Sequence, residues 1–274
     1  MGGDVVNLAV DVQAGARLSV VTQGHTKIFK SPSSDIVTRQ TMRVDIATGA
    51  ALCLLPDPVQ PFEDSVYEQT QVFRMATGAS LCLLDWVTQG RTARGEDWSF
   101  VRWVGRNEVW NVGGGGATLK DEKDGRLLVR DAVILDSKHH QHDHPQMKSL
   151  REAMHAMGVV GTLILRGPLV KALGGFFLAE FDALPRLGAR DFRSDEAKAQ
   201  DDASLSSSEK WRKERLEMEK KSRLLWSAAK VRGCVVVKFG APAVEAGRVW
   251  VGSMLAREGS ILRIFGDHAL MCVK

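Results

Sequence analysis

The sequence predicts a mainly β fold: a β-helix-like or solenoid arrangement of layered strands with a few peripheral α-helices. Three observations favour this class. A Gly-Ala turn occurs three times, at Gly15, Gly49 and Gly78. Strand-like alternation of apolar residues precedes the turns, and a short apolar run follows each of them. Short apolar runs bounded by glycine or proline are typical of buried strands.

The three repeats read VQAGARLSV, IATGAALCL and MATGASLCL, and their glycines are 34 and then 29 residues apart. Glycine supplies the positive φ angle that other residues resist in a tight turn. We therefore expect each unit to run as strand, turn, strand and return. Successive units are expected to stack on a shared core. Three unrelated hairpins in a sandwich are the alternative.

Residues 1–274 are interpreted as one domain. Further strands are predicted at 101–112, 127–135, 159–165 and 231–239. Helices are predicted at 146–157, 169–183, 209–229 and 244–257. The polar segment 186–208 is expected to be a loop or a disordered insertion. Because Met1-Gly2-Gly3-Asp4 leads straight into a strand, we expect the N-terminal strand region to be truncated.

Composition narrows the functional class. A net charge of +4, from 37 basic and 33 acidic residues, is too small to indicate nucleic-acid binding. No stretch of about 18 apolar residues predicts a membrane span, and no secretory signal is recognised, which favours a cytoplasmic protein. The four cysteines form no C-x-x-C pair and are expected to be buried, reduced thiols. Cys53 and Cys82 occupy equivalent repeat positions and are expected to lie close together.

A histidine cluster offers the most obvious metal chemistry. His139, His140, His142 and His144 lie with Asp143 within six residues. Imidazole and carboxylate groups bind nickel, zinc or copper ions. A specific site normally fixes its ligands on rigid elements, whereas this cluster precedes a proline in a polar stretch. A solvated loop with incidental metal affinity is the favoured interpretation, and specific metal binding stays open.

Three polar segments each follow the second strand of a repeat: TQGHTKIFKS, LPDPVQPFEDS and TQGRTARGEDW. Loops of stacked repeats gather on one side, so these segments are expected to form a composite surface. Its charged residues would be Lys27, Glu63, Asp64, Arg91, Arg94 and Glu96. Ordinary turn polarity with mutual salt bridges is the alternative. No G-x-S-x-G motif or convincing acid–base pair is found, so no catalytic residue is predicted.

Several motifs in one order are recognisable. They are GGD, GAxLxxxTQGxTKIFKS, LPDPVQPFEDSxYEQ and GASLxLLDWxTxGRxARGExW, and together they resemble the D-type urease accessory proteins, the UreD/UreH family. The resemblance spans Gly2 to Trp110 and continues more weakly through LVRDAVIL, TLILRGP and RGCVVVKFG. The family's usual chain begins earlier. The segment 186–230 and the histidine cluster depart from its pattern, so no family role is assigned to them.

The resemblance implies a β-helix-like urease maturation chaperone rather than an enzyme. Such proteins bind the urease apoprotein and recruit the F-type accessory protein and the G-type GTPase. Together these deliver nickel to the urease active site, and a water-filled passage through the D-type protein would be the nickel route. The resemblance therefore implies nickel in transit but no tightly bound cofactor, with protein partners and neither nucleic acid nor membrane.

Four residues in the matched motifs are candidates for contacting nickel in transit: His25, Glu63, Asp64 and Glu96. Transit requires weak, exchangeable oxygen and nitrogen ligands rather than a tight cage. Two classes other than a maturation chaperone stay open. One is a generic β-solenoid interaction scaffold. The other is a carbohydrate- or metal-binding β-solenoid enzyme, for which Glu63 and Glu96 are the only pair of carboxylates to nominate.

Partner docking is predicted for the helices near 147–157 and 244–257. Met154 and Leu255 are the candidate partner-binding residues on them.

Overall fold

The protein is seen in a computed structural model that describes residues 2–113, 125–137, 149–185 and 205–274, and thirteen strands are the main regular structure of these residues. In chain order the described strands are β1 (Val5–Val12), β2 (Arg17–Val20), β3 (Thr26–Ile28), β4 (Thr38–Ile46), β5 (Ala51–Leu54), β6 (Val59–Pro61), β7 (Val66–Met75), β8 (Ser80–Thr88), β9 (Arg102–Val112), β10 (Gly125–Asp136), β11 (Val159–Arg166), β12 (Leu225–Val231) and β13 (Cys234–Ala241).

Two mixed sheets contain these strands. Sheet A has five strands in the order β1-β4-β7-β9-β10. Sheet B follows the order β12-β13-β11-β8-β5-β2, and β3 and β6 extend it beside β8. The described helices are α1 (Leu150–Ala153), α2 (Lys171–Asp182), α3 (Ser207–Lys221), α4 (Val244–Glu258) and α5 (Ser260–Phe265), with 3₁₀ turns at Thr92–Arg94, Pro168–Val170 and Asp267–Leu270.

The repeated turns stack on one another, as the repeat predicts. Strands β1, β4 and β7 pair in parallel in sheet A, and β2, β5 and β8 do so in sheet B. Val12 pairs with Ile46, and Ile46 pairs with Met75, so the register offsets equal the 34- and 29-residue repeat spacings. Gly49 and Gly78 have φ angles of 69° and 81°, the left-handed conformation that glycine adopts without strain.

The stacking does not continue into the predicted β-helix or solenoid. Strand β10 pairs antiparallel to β9, and β11, β13 and β12 extend sheet B as antiparallel strands. Neither sheet closes on itself. The Gly-Ala repeat occurs only three times, and the strands from β10 onwards pair antiparallel to their neighbours. Between β12 and β13, Arg232 and Gly233 both have positive φ angles, which is typical of a two-residue hairpin loop.

Sheet B is buried on both faces. One face packs against sheet A through a core that includes Ile46, Phe73 and Leu81. The other packs against the helices through a core that includes Phe177 and Trp250. All nine residues of β8 are buried, which explains why its sequence shows an apolar run instead of alternation.

The four cysteines are buried and free, as predicted, and Cys53 lies directly opposite Cys82 in the parallel pair β5–β8. The hydrogen bond between these two thiols, together with burial, raises the pKa of Cys82 well above its ordinary value. A thiolate is therefore disfavoured at this position, and the pair acts as packing in the core.

Two helix predictions differ from the structure. One helix was expected at 209–229, but the helix ends at Lys221 and Leu225–Val231 forms strand β12. Pairing with β13 overrides the local charged pattern there. Of the predicted helix 146–157, residues 149–157 are described, and among them helix α1 covers Leu150–Ala153; it ends there because His155 and Ala156 have positive φ angles. The histidine cluster and residues 186–204 of the predicted insertion lie outside the described residues.

Candidate functional site

The candidate site is the surface formed by residues 29–31, 62–65 and 89–99, called the loop surface below. Strand β3 pairs in parallel with β6, and β6 pairs with β8 through Val59 and Val87. Hydrogen bonds continue beyond the strands. The Ser31 N–H donates to the Asp64 carbonyl at 3.2 Å, and the Asp64 N–H donates to the Ser99 carbonyl at 3.2 Å. The polar segments of successive repeats are therefore direct neighbours.

Glu96 is the buried carboxylate of the loop surface. It accepts hydrogen bonds from the Arg91 backbone N–H at 2.7 Å and from Arg91 Nε at 2.9 Å, and Arg91 Nη2 also contacts it. Burial raises the pKa of Glu96, but the hydrogen bonds from Arg91 and from the Glu63 backbone N–H outweigh burial and hold that pKa below its ordinary value. Glu96 is therefore an ionised carboxylate already satisfied by its own chain.

Arg91 is fixed from two sides. Besides its contacts with Glu96, its guanidinium lies 3.7 Å from the ring centroid of Phe62, a cation–π arrangement. Phe62 packs edge-on against the exposed Phe29, with ring centroids 5.3 Å apart. The loop surface thus combines an ordered arginine with an exposed aromatic ring, a pairing that is frequent at protein interfaces.

Glu63 and Asp64 lie at the open rim of the loop surface. Glu63 is exposed, and Asp64, which is of intermediate exposure as a whole residue, has a φ angle of 58°. The Asp64 carboxylate accepts a 2.6 Å ion pair from Lys30 Nζ, and both side chains are well exposed. Ion pairs this exposed contribute little stability, so the Asp64 carboxylate can exchange partners readily.

His25 lies apart from the other three candidates, at the start of β3 and so at the opposite end of the β3–β6 pair. Burial lowers the pKa of His25 below its ordinary value of 6.5; Asp57 opposes this shift, while Arg248 and Lys27 add to it. The imidazole is therefore neutral near pH 7, which is the ligating form of histidine.

Asp57 organises the environment of His25. Its carboxylate accepts hydrogen bonds from the Gly24 N–H at 3.0 Å, from the Thr22 hydroxyl at 3.2 Å and from Arg248 Nη2 at 2.8 Å. The Cys272 thiol donates to the Thr22 carbonyl at 3.2 Å. This cluster connects the loops after β2 and β5 to helix α4 and to the C-terminal segment.

Another buried carboxylate lies between the sheets. Asp85 accepts hydrogen bonds from Gln69 at 3.0 Å and from Asn107 at 2.7 Å. Burial raises the pKa of Asp85, and these two hydrogen bonds oppose the shift. Asp85 borders a cavity of about 520 Å³ whose lining includes Met154 and Met157.

Within the described ranges, no three His, Cys, Asp or Glu side chains converge in a group that could hold a metal ion. The structure brings Glu63, Asp64 and Glu96 to one surface and places His25 elsewhere.

The two residues predicted to dock partners are both turned towards the core. Met154 is partly buried against the core around Trp103, and Leu255 is completely buried. The Leu255 side chain therefore faces the helix–sheet core and offers no surface to a partner.

Comparison with known families gives the same grouping as the motifs. The model of the UreD urease accessory protein family matches residues 1–269. The chain belongs to the UreD family. It is 34% identical over 179 residues to "Urease accessory protein UreD" of Sorangium cellulosum, a match covering 65% of this chain and 50% of that protein.

Relatives in eukaryotes show the same likeness. "Uncharacterized urease accessory protein ureD-like" of Schizosaccharomyces pombe is 28% identical over 270 residues, covering 98% of this chain and 78% of that protein. "Urease accessory protein D" of Arabidopsis thaliana is 29% identical over 173 residues, covering 63% of this chain and 52% of that protein. The matched part of this UreD-family chain thus spans about half the length of the Sorangium and Arabidopsis proteins.

Sequence reasoning missed two polar clusters of this UreD-family chain. The Asp57–Arg248 pair joins residues 191 positions apart, so no local pattern shows it. The Asp85 network did leave a signal: Gln69, Gln71 and Asn107 occupy inward positions in alternating strands, and Asp85 interrupts an apolar run. Polar residues at buried positions indicate a hydrogen-bonded network.

No helix in the described ranges is long and apolar enough to span a membrane.

Proposed function

We propose that this chain acts in urease maturation as a non-catalytic binding platform. The observation that carries the proposal is the match of the UreD urease accessory protein family to residues 1–269. Relatives named as urease accessory proteins in bacteria, fungi and plants support it. In this proposal the chain binds the urease apoprotein in the cytoplasm and recruits the F-type accessory protein and the G-type GTPase, which together with it deliver nickel.

The loop surface is better suited to binding than to acid–base catalysis. The enzyme alternative requires Glu63 and Glu96 to work as a pair of carboxylates. Glu96, however, is held by Arg91, and its pKa is below the ordinary value, so it is a poor proton donor at neutral pH. Arg91 is instead held against the Phe62 ring, and the exposed Phe29 packs on the same ring, which resembles the arginine and aromatic anchors of protein interfaces.

We propose that nickel in transit contacts the four sequence candidates to different degrees. Glu63 and Asp64 have accessible carboxylates, so they can meet hydrated nickel directly. Glu96 is engaged by Arg91, so it would have to exchange partners. His25 is half-buried near Asp57 and is neutral, so it could offer a ring nitrogen once nickel reaches it. Weak oxygen ligands of this kind suit a cation that must be released again.

Co-expression tests the proposed function. Urease apoprotein, the F-type and G-type partners and nickel are supplied to a host with or without this chain. Urease activity should rise at least tenfold when the chain is present. Equal urease activity with and without the chain would refute the proposed function. Turnover of a carbohydrate substrate by the purified chain alone would favour the enzyme alternative.

A double variant tests the nickel contacts. Glu63→Gln/Asp64→Asn removes two accessible negative charges without large changes in shape. We expect lower urease activation at limiting nickel and normal activation at excess nickel, because weak ligands matter when the cation is scarce. Glu217→Gln/Glu245→Gln, on exposed positions of α3 and α4, is the matched control. Identical nickel dependence for the two double variants would contradict the role.

A further inference from the structure

Strand β1 is an open edge of sheet A. It pairs with β4 on one side, and no described strand pairs with it on the other. Three of its apolar side chains are exposed: Val5 is 61% exposed, Val6 51% and Leu8 45%. An edge strand presents a row of unpaired N–H and C=O groups, which is a template for pairing with a further strand. In the described part of the chain, both the backbone and the side chains of β1 are therefore available for such a strand.

The opposite edge of sheet A carries features that prevent pairing. Strand β10 has a bulge in its pairing with β9 and carries charged side chains, among them Arg130 and Asp131. Bulges, charged residues and prolines are the devices by which edge strands avoid further pairing. Strand β1 has a regular eight-residue register with β4, no proline and no lysine, and Asp11 is its one charged residue. Of the two edges, β1 is the one suited to pairing.

The backbone groups of β1 that point to the open edge follow from its hydrogen bonds. The Asp4 carbonyl accepts from the Arg39 N–H at 2.9 Å, and the Val12 carbonyl accepts from the Ala47 N–H at 3.0 Å. The direction of these groups alternates along a strand, so the even-numbered residues of β1 bond to β4. The odd-numbered residues then direct their N–H and C=O groups to the open edge; they are Val5, Asn7, Ala9 and Asp11.

A second copy of β1 matches this edge in one antiparallel register. With a two-fold axis at Leu8, Asn7 lies opposite Ala9 and Val5 lies opposite Asp11, so that free backbone groups face free backbone groups. Opposite residues of this kind exchange two hydrogen bonds, which gives about eight bonds along the pair. A shift of one residue would oppose groups that already bond to β4, and a shift of two residues would lose one of the four residue pairs.

The same register also places apolar side chains together. The even-numbered side chains of β1 lie on the core side of sheet A, beside the buried row of β4. Across the two-fold axis, Leu8 lies opposite Leu8 of the second copy and Val6 lies opposite Val10, at positions where facing side chains approach most closely. Asp11 lies opposite Val5, so like charges are not paired. The pairing covers the exposed Val6 and Leu8.

We propose that two copies of this chain associate through β1 as an antiparallel, two-fold pair, which joins their two A sheets into one continuous sheet. The occupant is a second copy because hydrogen bonding, apolar contact and charge are all self-complementary about Leu8. A two-fold contact of this kind closes as a dimer. A contact along one eight-residue strand is smaller than a standard interface of about 800 Å² per partner, so we expect a reversible dimer with a roughly micromolar dissociation constant. The inference goes beyond the proposed function and does not depend on it.

Charges placed at the two-fold axis test the pair on the full chain. In Leu8→Lys two lysines would face each other, and in Leu8→Glu two glutamates would. Sedimentation velocity over roughly 1–100 μM chain covers the range around a micromolar dissociation constant. The unaltered chain, of 30.1 kDa, should approach twice that mass at the upper concentrations. Each Leu8 variant should weaken dimerisation by about tenfold or more, because like charges that face each other across a contact repel.

Mixing the two Leu8 variants makes the test specific to this register. An equimolar mixture should dimerise again, because lysine then faces glutamate. Ile134→Lys, at an exposed apolar position of β10, is the matched control and should dimerise like the unaltered chain. Ala9→Pro is an independent variant, since it removes an N–H that points to the open edge and leaves the bonds to β4 intact. Thermal unfolding confirms that each variant folds.

Several results would overturn the proposal. One is an unaltered chain that stays monomeric over the whole concentration range. Another is a dimer that Leu8→Lys and Ala9→Pro leave unchanged, or a mass that grows without limit instead of doubling. If the chain is monomeric and Leu8→Lys instead lowers its affinity for the urease apoprotein, the F-type protein or the G-type protein, a strand of that partner replaces the second copy as the occupant. The proposed function stands in each case, because it is tested by urease activation.

Discussion

Buried carboxylates in this protein are each held by a specific arginine or amide. Glu96 is bound by Arg91, and Asp57 is bound by Arg248 together with the Gly24 N–H. A charge that leaves water needs such partners, and removing one partner leaves the other uncompensated. Substitutions at these residues therefore change stability as well as function, and controls must separate the two effects.

Glu96→Gln should lower the free energy of unfolding by about 2 kcal/mol, because charged hydrogen bonds to Arg91 are lost. Arg91→Met should cost a similar amount, and the double variant should cost less than the sum. Urea unfolding of the unaltered chain, the two single variants and the double variant measures the coupling free energy between Arg91 and Glu96. Additive losses would show that Arg91 and Glu96 act independently, contrary to the geometry.

Asp57 should make stability depend on pH in the acid range. Burial raises the pKa of Asp57, but the hydrogen bonds from Arg248 and from the Gly24 N–H, with the positive charge of Arg248, hold it below its ordinary value of 3.8. The Asp57 carboxylate binds a proton more readily in the unfolded chain than in the folded one. Its contribution to folding stability is therefore fully present above pH 3.8 and is lost as the pH falls through the pKa of Asp57 in the folded protein.

Asp57→Asn should therefore be less stable than the unaltered chain at about pH 7, by about 2 kcal/mol. The difference should shrink in acid below the ordinary pKa. Urea unfolding at a series of pH values measures it, and Asp35→Asn, at an exposed position, serves as the control. A difference that stays constant from neutral pH into this acid range would contradict the assignment.

Helix α4 shows which features of an element the sequence determines. The range 244–257 was predicted from apolar spacing, and the helix spans Val244–Glu258. Its buried side includes Trp250 and Leu255, and it packs into the core shared with sheet B. Local periodicity indicated the helix, but only the fold shows whether its apolar side meets a core or a partner. Val249, by contrast, is an exposed apolar residue on the same helix.

Leu255→Asp should unfold the protein or destabilise it by about 4 kcal/mol or more, because it buries a charge without a partner. Val249→Asp should fold normally. Thermal unfolding of both variants checks this. If α4 docks a partner, binding should fall for Val249→Asp while the fold is retained. A stable, folded Leu255→Asp protein would contradict the burial of α4.

Other elements show where sequence reasoning reaches its limit. The turns at Gly49 and Gly78 and their register follow from a repeat that recurs along the chain. The strand β12 was missed because Leu225–Val231 continues a helical composition, and its pairing with β13 decides its conformation. Contacts that depend on distant partners, such as Asp57 with Arg248, leave no local pattern.

At the scale of the whole molecule, the helices, sheet B and sheet A form three layers, and these layers divide the surface into distinct parts. The helices cover the outward side of sheet B, the loop surface lies beyond the ends of β3, β6 and β8, and no described helix packs extensively on the outward side of sheet A. The sequence motifs alone indicate the loop surface.

The nickel content of urease tests the central claim most directly. Urease is purified from cells that contain the F-type and G-type partners and limiting nickel, with or without this chain. Metal analysis counts nickel ions per active site. We predict nearly full nickel occupancy with the chain and at least tenfold less without it. Equal nickel content in the two preparations would contradict a role for this chain in urease maturation.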